Sequence, residues 1–141
     1  MKKIALVLAI VLVISSMSLL LFACTAKVAG KTYVMESFEI SADGVPESIT
    51  EQVRSYVENS YKTAELTFNK DGKMILKSGD VEKDMGYYKQ DGKNIYVGST
   101  EDVSTEGNPE FVVDGKSLIW TVEQAVMSYT VVIKMTIVPK K

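Results

Sequence analysis

Hydrophobic and polar positions divide this chain at residue 24. From Ile4 to Ile14 eleven consecutive residues are apolar, and Ser15 to Ala23 extends the run with three serines. Beyond residue 30 the apolar residues alternate with polar ones. Between Val126 and Val138 one face carries Met127, Tyr129, Val131, Ile133, Met135 and Ile137, while Ser128, Thr130, Lys134 and Thr136 lie on the other among three valines. Side chains of a strand point to opposite faces in turn, so this period of two predicts one long strand with a buried inner face, ended by Pro139.

Asp-Gly pairs punctuate the alternating segments at Asp43-Gly44, Asp71-Gly72, Asp91-Gly92 and Asp114-Gly115, and three of the four are followed by lysine. Asp-Gly between alternating runs signals a hairpin, because a type I′ turn needs positive φ at both central residues. The stretches AELTFNKDGKMIL, GYYKQDGKNIYV and EFVVDGKSLIW therefore predict three hairpins in a meandering antiparallel sheet. Strands are expected near 31–40, 62–69, 73–78, 81–89, 93–98, 109–113, 116–122 and 126–138. Eight strands suffice to close a small barrel whose interior holds side chains or one small ligand. Between the first and second strands, Ile49, Val53, Tyr56, Val57 and Tyr61 recur at helical spacing. Pro46 suits the first helical turn, and Ser48 with Glu51 fits a capping box. The expected fold is mainly β: one eight-stranded antiparallel barrel with a helix over its mouth.

The N-terminal run changes the picture of where such a domain works. Lys2 and Lys3 precede the apolar stretch, as in an export signal. Leu21-Phe22-Ala23-Cys24 resembles the lipobox of bacterial lipoproteins, in which the cysteine after a small residue becomes the new N-terminus and carries a diacylglycerol. Cys24 is the only cysteine in 141 residues, so it forms no internal disulfide. An uncleaved spanning helix is the alternative for residues 4–23, and an incidental core thiol the alternative for Cys24. The lysines before the apolar run put the following domain on the extracytoplasmic face in either anchored form. The expected organisation is a signal peptide over 1–23, a lipidated tether over 24–30 and a barrel domain over 31–141, held to the cell membrane by lipid on Cys24.

Removing residues 1–23 leaves 118 residues, with fourteen cationic against eighteen acidic side chains. That net charge of −4 argues against nucleic acid as a partner. A domain of this length can bury a sufficient core without disulfides or metal.

The order of the strand segments resembles the small bacterial lipocalin-like proteins of the calycin type. The resemblance is carried by Gly30-Lys31-Thr32-Tyr33 at the first strand, Leu66-Thr67-Phe68 before Asp71-Gly72, and Gly86-Tyr87-Tyr88 before Asp91-Gly92, with Phe111 and Leu118 flanking Asp114-Gly115. It implies a barrel that binds a small apolar molecule inside, lidded by the segment between its first two strands.

Candidate chemistry is sparse. The chain has no histidine, which excludes Ser-His and Cys-His nucleophilic sites and His-ligated zinc. Asp80, Glu82 and Asp84 read as a solvated acidic stripe. Asp102, Ser104, Glu106 and Gly107 mimic the start of a calcium loop, but Val113 stands where the bidentate glutamate is required. No catalytic site, metal or cofactor is expected. Trp120, Tyr129, Met127, Tyr88 (or Tyr87) and Met74, with Met85, are the candidate wall residues of the barrel, able to line a ligand site or simply to fill the core. The functional expectation is a non-enzymatic interaction or sensing module that meets another envelope protein, with a binding protein for a small apolar ligand as the alternative.

Overall fold

A computed structural model describes residues 25–141. The Leu21-Phe22-Ala23-Cys24 signal therefore lies outside the described residues. The elements are β1 (Lys31–Ser41), α1 (Glu47–Tyr61), β2 (Glu65–Phe68), β3 (Lys73–Ser78), β4 (Val81–Asp91), β5 (Asn94–Gly98), β6 (Phe111–Asp114), β7 (Ser117–Val126) and β8 (Tyr129–Pro139). Each strand pairs antiparallel with the next, and β8 pairs with β1 to close the barrel. Closure leaves no unpaired strand edge, so a short meander satisfies its backbone without a second sheet. The architecture is the one expected of a lipocalin-like barrel.

Alternation decides the inner face. Leu66 and Phe68 of β2, Phe111 and Val113 of β6, Leu118 and Trp120 of β7, and Val131, Ile133, Met135 and Ile137 of β8 are all buried. Ile119 pairs with Thr136 on the opposite face, and Thr121 is exposed. Two β-bulges bend the wall, at Glu36 of β1 and at Met85 of β4. After the second bulge Gly86 has φ +96, and a Cβ there would lie 2.5 Å from the Gly98 carbonyl oxygen. Only glycine fits this crossing.

The hairpin turns depart from expectation by one residue. Asp91 pairs with Asn94 and Asp114 with Ser117, so the turn centres are Gly92-Lys93 and Gly115-Lys116 rather than the Asp-Gly pairs. Glycine stands first with φ of 60 and 62. The lysine that follows has negative φ, so one glycine suffices and the aspartate ends the strand. Gly79-Asp80, between paired Ser78 and Val81, follows the same plan with φ 62.

The last strand begins three residues later than the 126–138 expected, and Val126 belongs to β7. Val126 pairs with Tyr129, leaving Met127-Ser128 as a two-residue turn between β7 and β8. Period two runs through this turn unbroken, and it holds neither glycine, asparagine nor aspartate, so the sequence pattern concealed it. In α1, Pro46 is the N-cap and not the first helical residue, and no side chain caps the helix. Ser48 thus sits inside the first turn, too late to form the capping box, while Glu51 pairs with Arg54 at 3.4 Å. Ile49, Val53 and Val57, spaced four apart, are the helix's buried stripe.

The barrel has two chemically distinct ends. The chain enters β1 at one of them, where the β2–β3, β4–β5 and β6–β7 turns also lie; α1, the 99–110 loop and the other turns occupy the opposite, helix end. At the entry end the segment before β1 is not a free tether. Val28 is fully buried. Its N–H donates to Gln90 Oε1 at 3.1 Å, and Gln90 Nε2 donates to the Ala26 carbonyl at 2.7 Å. The Gly30 N–H donates to the Phe68 carbonyl at 2.6 Å. Residues 26–30 therefore plug the barrel.

Candidate functional site

The barrel interior is occupied by its own side chains. A run of ring contacts threads it. Tyr88 meets Phe68 edge-on at 5.0 Å, Phe68 meets Phe111 at 5.5 Å, Phe111 meets Trp120 at 5.1 Å, and Trp120 meets Tyr61 of α1 at 5.6 Å. Tyr33 adds an edge contact to Phe68 at 5.6 Å. Such pairs contribute about 0.5–1.5 kcal/mol each beyond their burial. The cavity left among Tyr33, Tyr61, Leu66, Trp120 and Met135 measures about 10 Å³. A drug-sized ligand needs roughly 300 Å³ or more.

Two polar groups of this column are tied down. The Trp120 Nε1–H donates to Glu110 Oε1 at 3.0 Å, and the Tyr88 hydroxyl donates to the Asn69 carbonyl at 2.6 Å. Burial raises the phenol pKa of Tyr33, Tyr61 and Tyr88, with Asp71 adding to the rise at Tyr88 and Tyr56 at Tyr61. These phenols stay neutral at physiological pH and brace the wall. Among the described residues no group of three or more His, Cys, Asp or Glu gathers as a metal site.

The expected wall residues separate accordingly. Trp120 and Met74 are buried, and Tyr88 packs on the core at Phe68. Tyr88, not Tyr87, faces inward; Tyr87 lies outside under the Lys73 ammonium, 5.6 Å from its ring centre. Met85, at the bulge, packs partly against the core. Tyr129 is half-buried at the first position of β8 and lies outside the packed core. Met127 is 88% exposed at the β7–β8 turn. The placement of Met127 on the inner wall is thus corrected, because it lies in the β7–β8 turn; Tyr129 is paired with core-packed Val126 but remains at the margin of the packed interior.

Met127 is notable for its backbone as well. Its φ is +57, the only positive φ at a non-glycine among the described residues. The three other two-residue hairpins all place glycine there. An unbranched apolar side chain held in the left-handed region costs roughly 1–2 kcal/mol. Beside it at the helix end, Gln52, Val53 and Tyr56 of α1 and Gln124 and Val126 of β7 line a groove of about 190 Å³. Tyr56 is 53% exposed there, and it touches Tyr61 edge-on at 6.4 Å. The groove thus has an apolar floor, a phenol and two primary amides. A larger surface hollow of about 540 Å³ is bounded by charged Glu36, Arg54, Glu58 and Lys62. The sequence named Tyr56 as part of the helix stripe and Met127 as wall, but gave no sign that they share a rim. The one available signal was a methionine at the turn position where its sister hairpins carry glycine.

Comparison of the chain with protein-family models, with curated proteins and with solved structures finds no match.

Proposed function

We propose that the chain is a lipoprotein anchored through Cys24 on the extracytoplasmic face of the cell membrane, and that its barrel is a non-enzymatic module that meets another envelope protein at the helix-end rim. The observation that carries this reading is the contrast between a filled interior and a rim where exposed, positive-φ Met127 follows Val126 of the groove that Val53 and Tyr56 also line. A container for an apolar ligand needs space that the aromatic column takes up. The rim supplies instead what a protein contact uses: an exposed unbranched side chain, a tyrosine and amides that hydrogen-bond while flanking apolar surface.

The test places a photo-crosslinking amino acid at position 127 or, as control, at Thr130 on the exposed face of β8, in cells that make the full chain. A discrete protein adduct from position 127 alone is expected. Absence of adducts from the rim, with saturable quenching of Trp120 by a fatty acid or quinone, would move the reading to the apolar-ligand container. Mass spectrometry of the same material reads the N-terminus, where a diacylated Cys24 is expected; an unmodified Cys24 in the membrane fraction contradicts the lipid anchor.

A further inference from the structure

The lysines after the Asp-Gly pairs find a common place in the barrel. At the entry end, the segment before β1, the three turns and the residues after β8 carry Lys27, Lys70, Lys93, Lys116, Lys140 and Lys141 against one carboxylate, Asp71. All six lysines are exposed. Lys140 turns aside to pair with Glu65 at 2.5 Å; Lys31, at the start of β1, is also exposed at this end. Asp91 and Asp114 close their strands beside it. At the helix end the connections 42–46, 79–80, 99–110 and 127–128 carry Asp43, Asp80, Glu101, Asp102, Glu106 and Glu110 and no lysine or arginine, while α1 and the 62–64 connection add Glu47, Glu51 and Glu58 with Arg54 and Lys62. A chain of modest net charge is therefore strongly polarised along its barrel axis.

We propose that the lysine-ringed entry end docks on the anionic headgroups of the membrane, so that the barrel stands end-on with its helix-end rim facing away. This rests on the anchoring reading and adds to it an orientation and a lipid class. Two observations beyond the charge support it. The chain enters the barrel at this end, and Thr25 is the one residue between Cys24 and the clamped Ala26. Two extended residues span roughly 7 Å, so an anchor at Cys24 keeps the ring within about one Debye length, ~8 Å, of the headgroups. The eleven residues of β8 rise roughly 36 Å along the strand, or about 27 Å along the axis at the usual tilt. The carboxylate end is then about three Debye lengths away, and its repulsion is screened. Attraction survives and repulsion does not.

The test uses isotope-labelled full-length protein purified from membranes and reconstituted into nanodiscs of phosphatidylcholine, alone or with an equal part of phosphatidylglycerol, each carrying a gadolinium-chelating lipid. Amide signals of Gly92 and Gly115 report the entry end, and those of Gly79 and Gly107 the helix end. Broadening of the first pair alone, stronger in the anionic discs and reduced by salt, is expected. Each lysine reaching the surface should change the ratio of docked to undocked orientation roughly fivefold. Lys93→Gln, which removes one charge, should show one such step, and Lys70→Glu with Lys93→Glu and Lys116→Glu should erase the lipid dependence while the remaining amide spectrum stays in place. Equal broadening of both ends, or entry-end broadening that ignores lipid charge, overturns the proposal. So does a concentration-dependent shift at both ends without lipid, which would seat the ring on the carboxylate end of a second copy. Protein that fails to enter either disc contradicts the anchoring reading, and the same glycine signals, recorded with it added to the discs, still decide the docking.

Discussion

Replacing Met127 with glycine should make the protein more stable while weakening its proposed contact. The residue occupies φ +57, where a side chain with a Cβ costs roughly 1–2 kcal/mol relative to glycine. Two effects oppose the gain. Glycine loses more backbone freedom on folding, by about 0.5–1 kcal/mol. The methionine side chain, 88% exposed, forfeits only about an eighth of a full burial worth 1.5–3 kcal/mol, or roughly 0.3 kcal/mol. The net expectation is a stabilisation of about 0.5 kcal/mol. Met127→Val should go the other way by about 1 kcal/mol, since a β-branched residue is least tolerated at positive φ. Met127→Asn, which accepts the left-handed region, should match or exceed Met127. With a urea slope near 1.5 kcal/mol/M for a domain of this size, glycine raises the midpoint by about 0.3 M and valine lowers it by about 0.7 M. A glycine variant less stable than the parent, or a valine variant equal to it, would show that the turn is not strained. If the order holds and Met127→Gly also loses the adduct formed by a crosslinker placed at exposed Ser128 next to it, stability and contact will have been separated at one residue.

Gly86→Ala should cost at least about 3 kcal/mol, combining positive φ with a 2.5 Å approach to the Gly98 oxygen, whereas Gly79→Ala, with open space around it, should cost about 1–2 kcal/mol; similar urea midpoints would contradict the β4 bulge. Ile133→Asp places a charge at a buried position and should unfold the domain or cost several kcal/mol, while Thr130→Asp on the exposed face should stay near 0.5 kcal/mol; equal losses in denaturant melts would overturn the facing of β8. Gln90→Leu removes the clamp on Ala26 and Val28, so amide exchange at Val28 should accelerate well before that of core residues such as Ile133; unchanged protection would show that burial of Val28 alone holds the plug. The Lys140 hydrogen bond lowers the Glu65 pKa, so its stabilisation is present above the ordinary glutamate range and is lost as pH falls through the lowered folded value; Glu65→Gln should flatten that acid limb, and an unchanged pH profile would remove the pair from the account.

Local pattern alone determined most of the strand content of this chain, its one described helix and the inward faces of β7, α1 and β8 from Val131 on. Leu118 and Trp120, Val131 through Ile137, and the Ile49-Val53-Val57 stripe of α1 are inward because period two and period 3.6 admit one buried face, and burying it outweighs local alternatives. The count of strands and the single helix implied closure into a barrel for the same reason. Local pattern could not locate the β7–β8 turn, because alternation passes through Met127-Ser128 undisturbed and only the pairing of Val126 with Tyr129 breaks it. Nor could it choose between Tyr87 and Tyr88, since a bulge at Met85 resets the parity of β4. Whether the barrel holds a cavity depended on how rings from five strands and a helix meet across the interior. The collection of lysines at one end and carboxylates at the other depended on antiparallel topology, which sends alternate turns to opposite ends and so sorts charges that are interspersed in sequence. Facing is a short-range consequence of backbone geometry; space and field are sums over residues far apart in the chain, fixed only when the barrel closes.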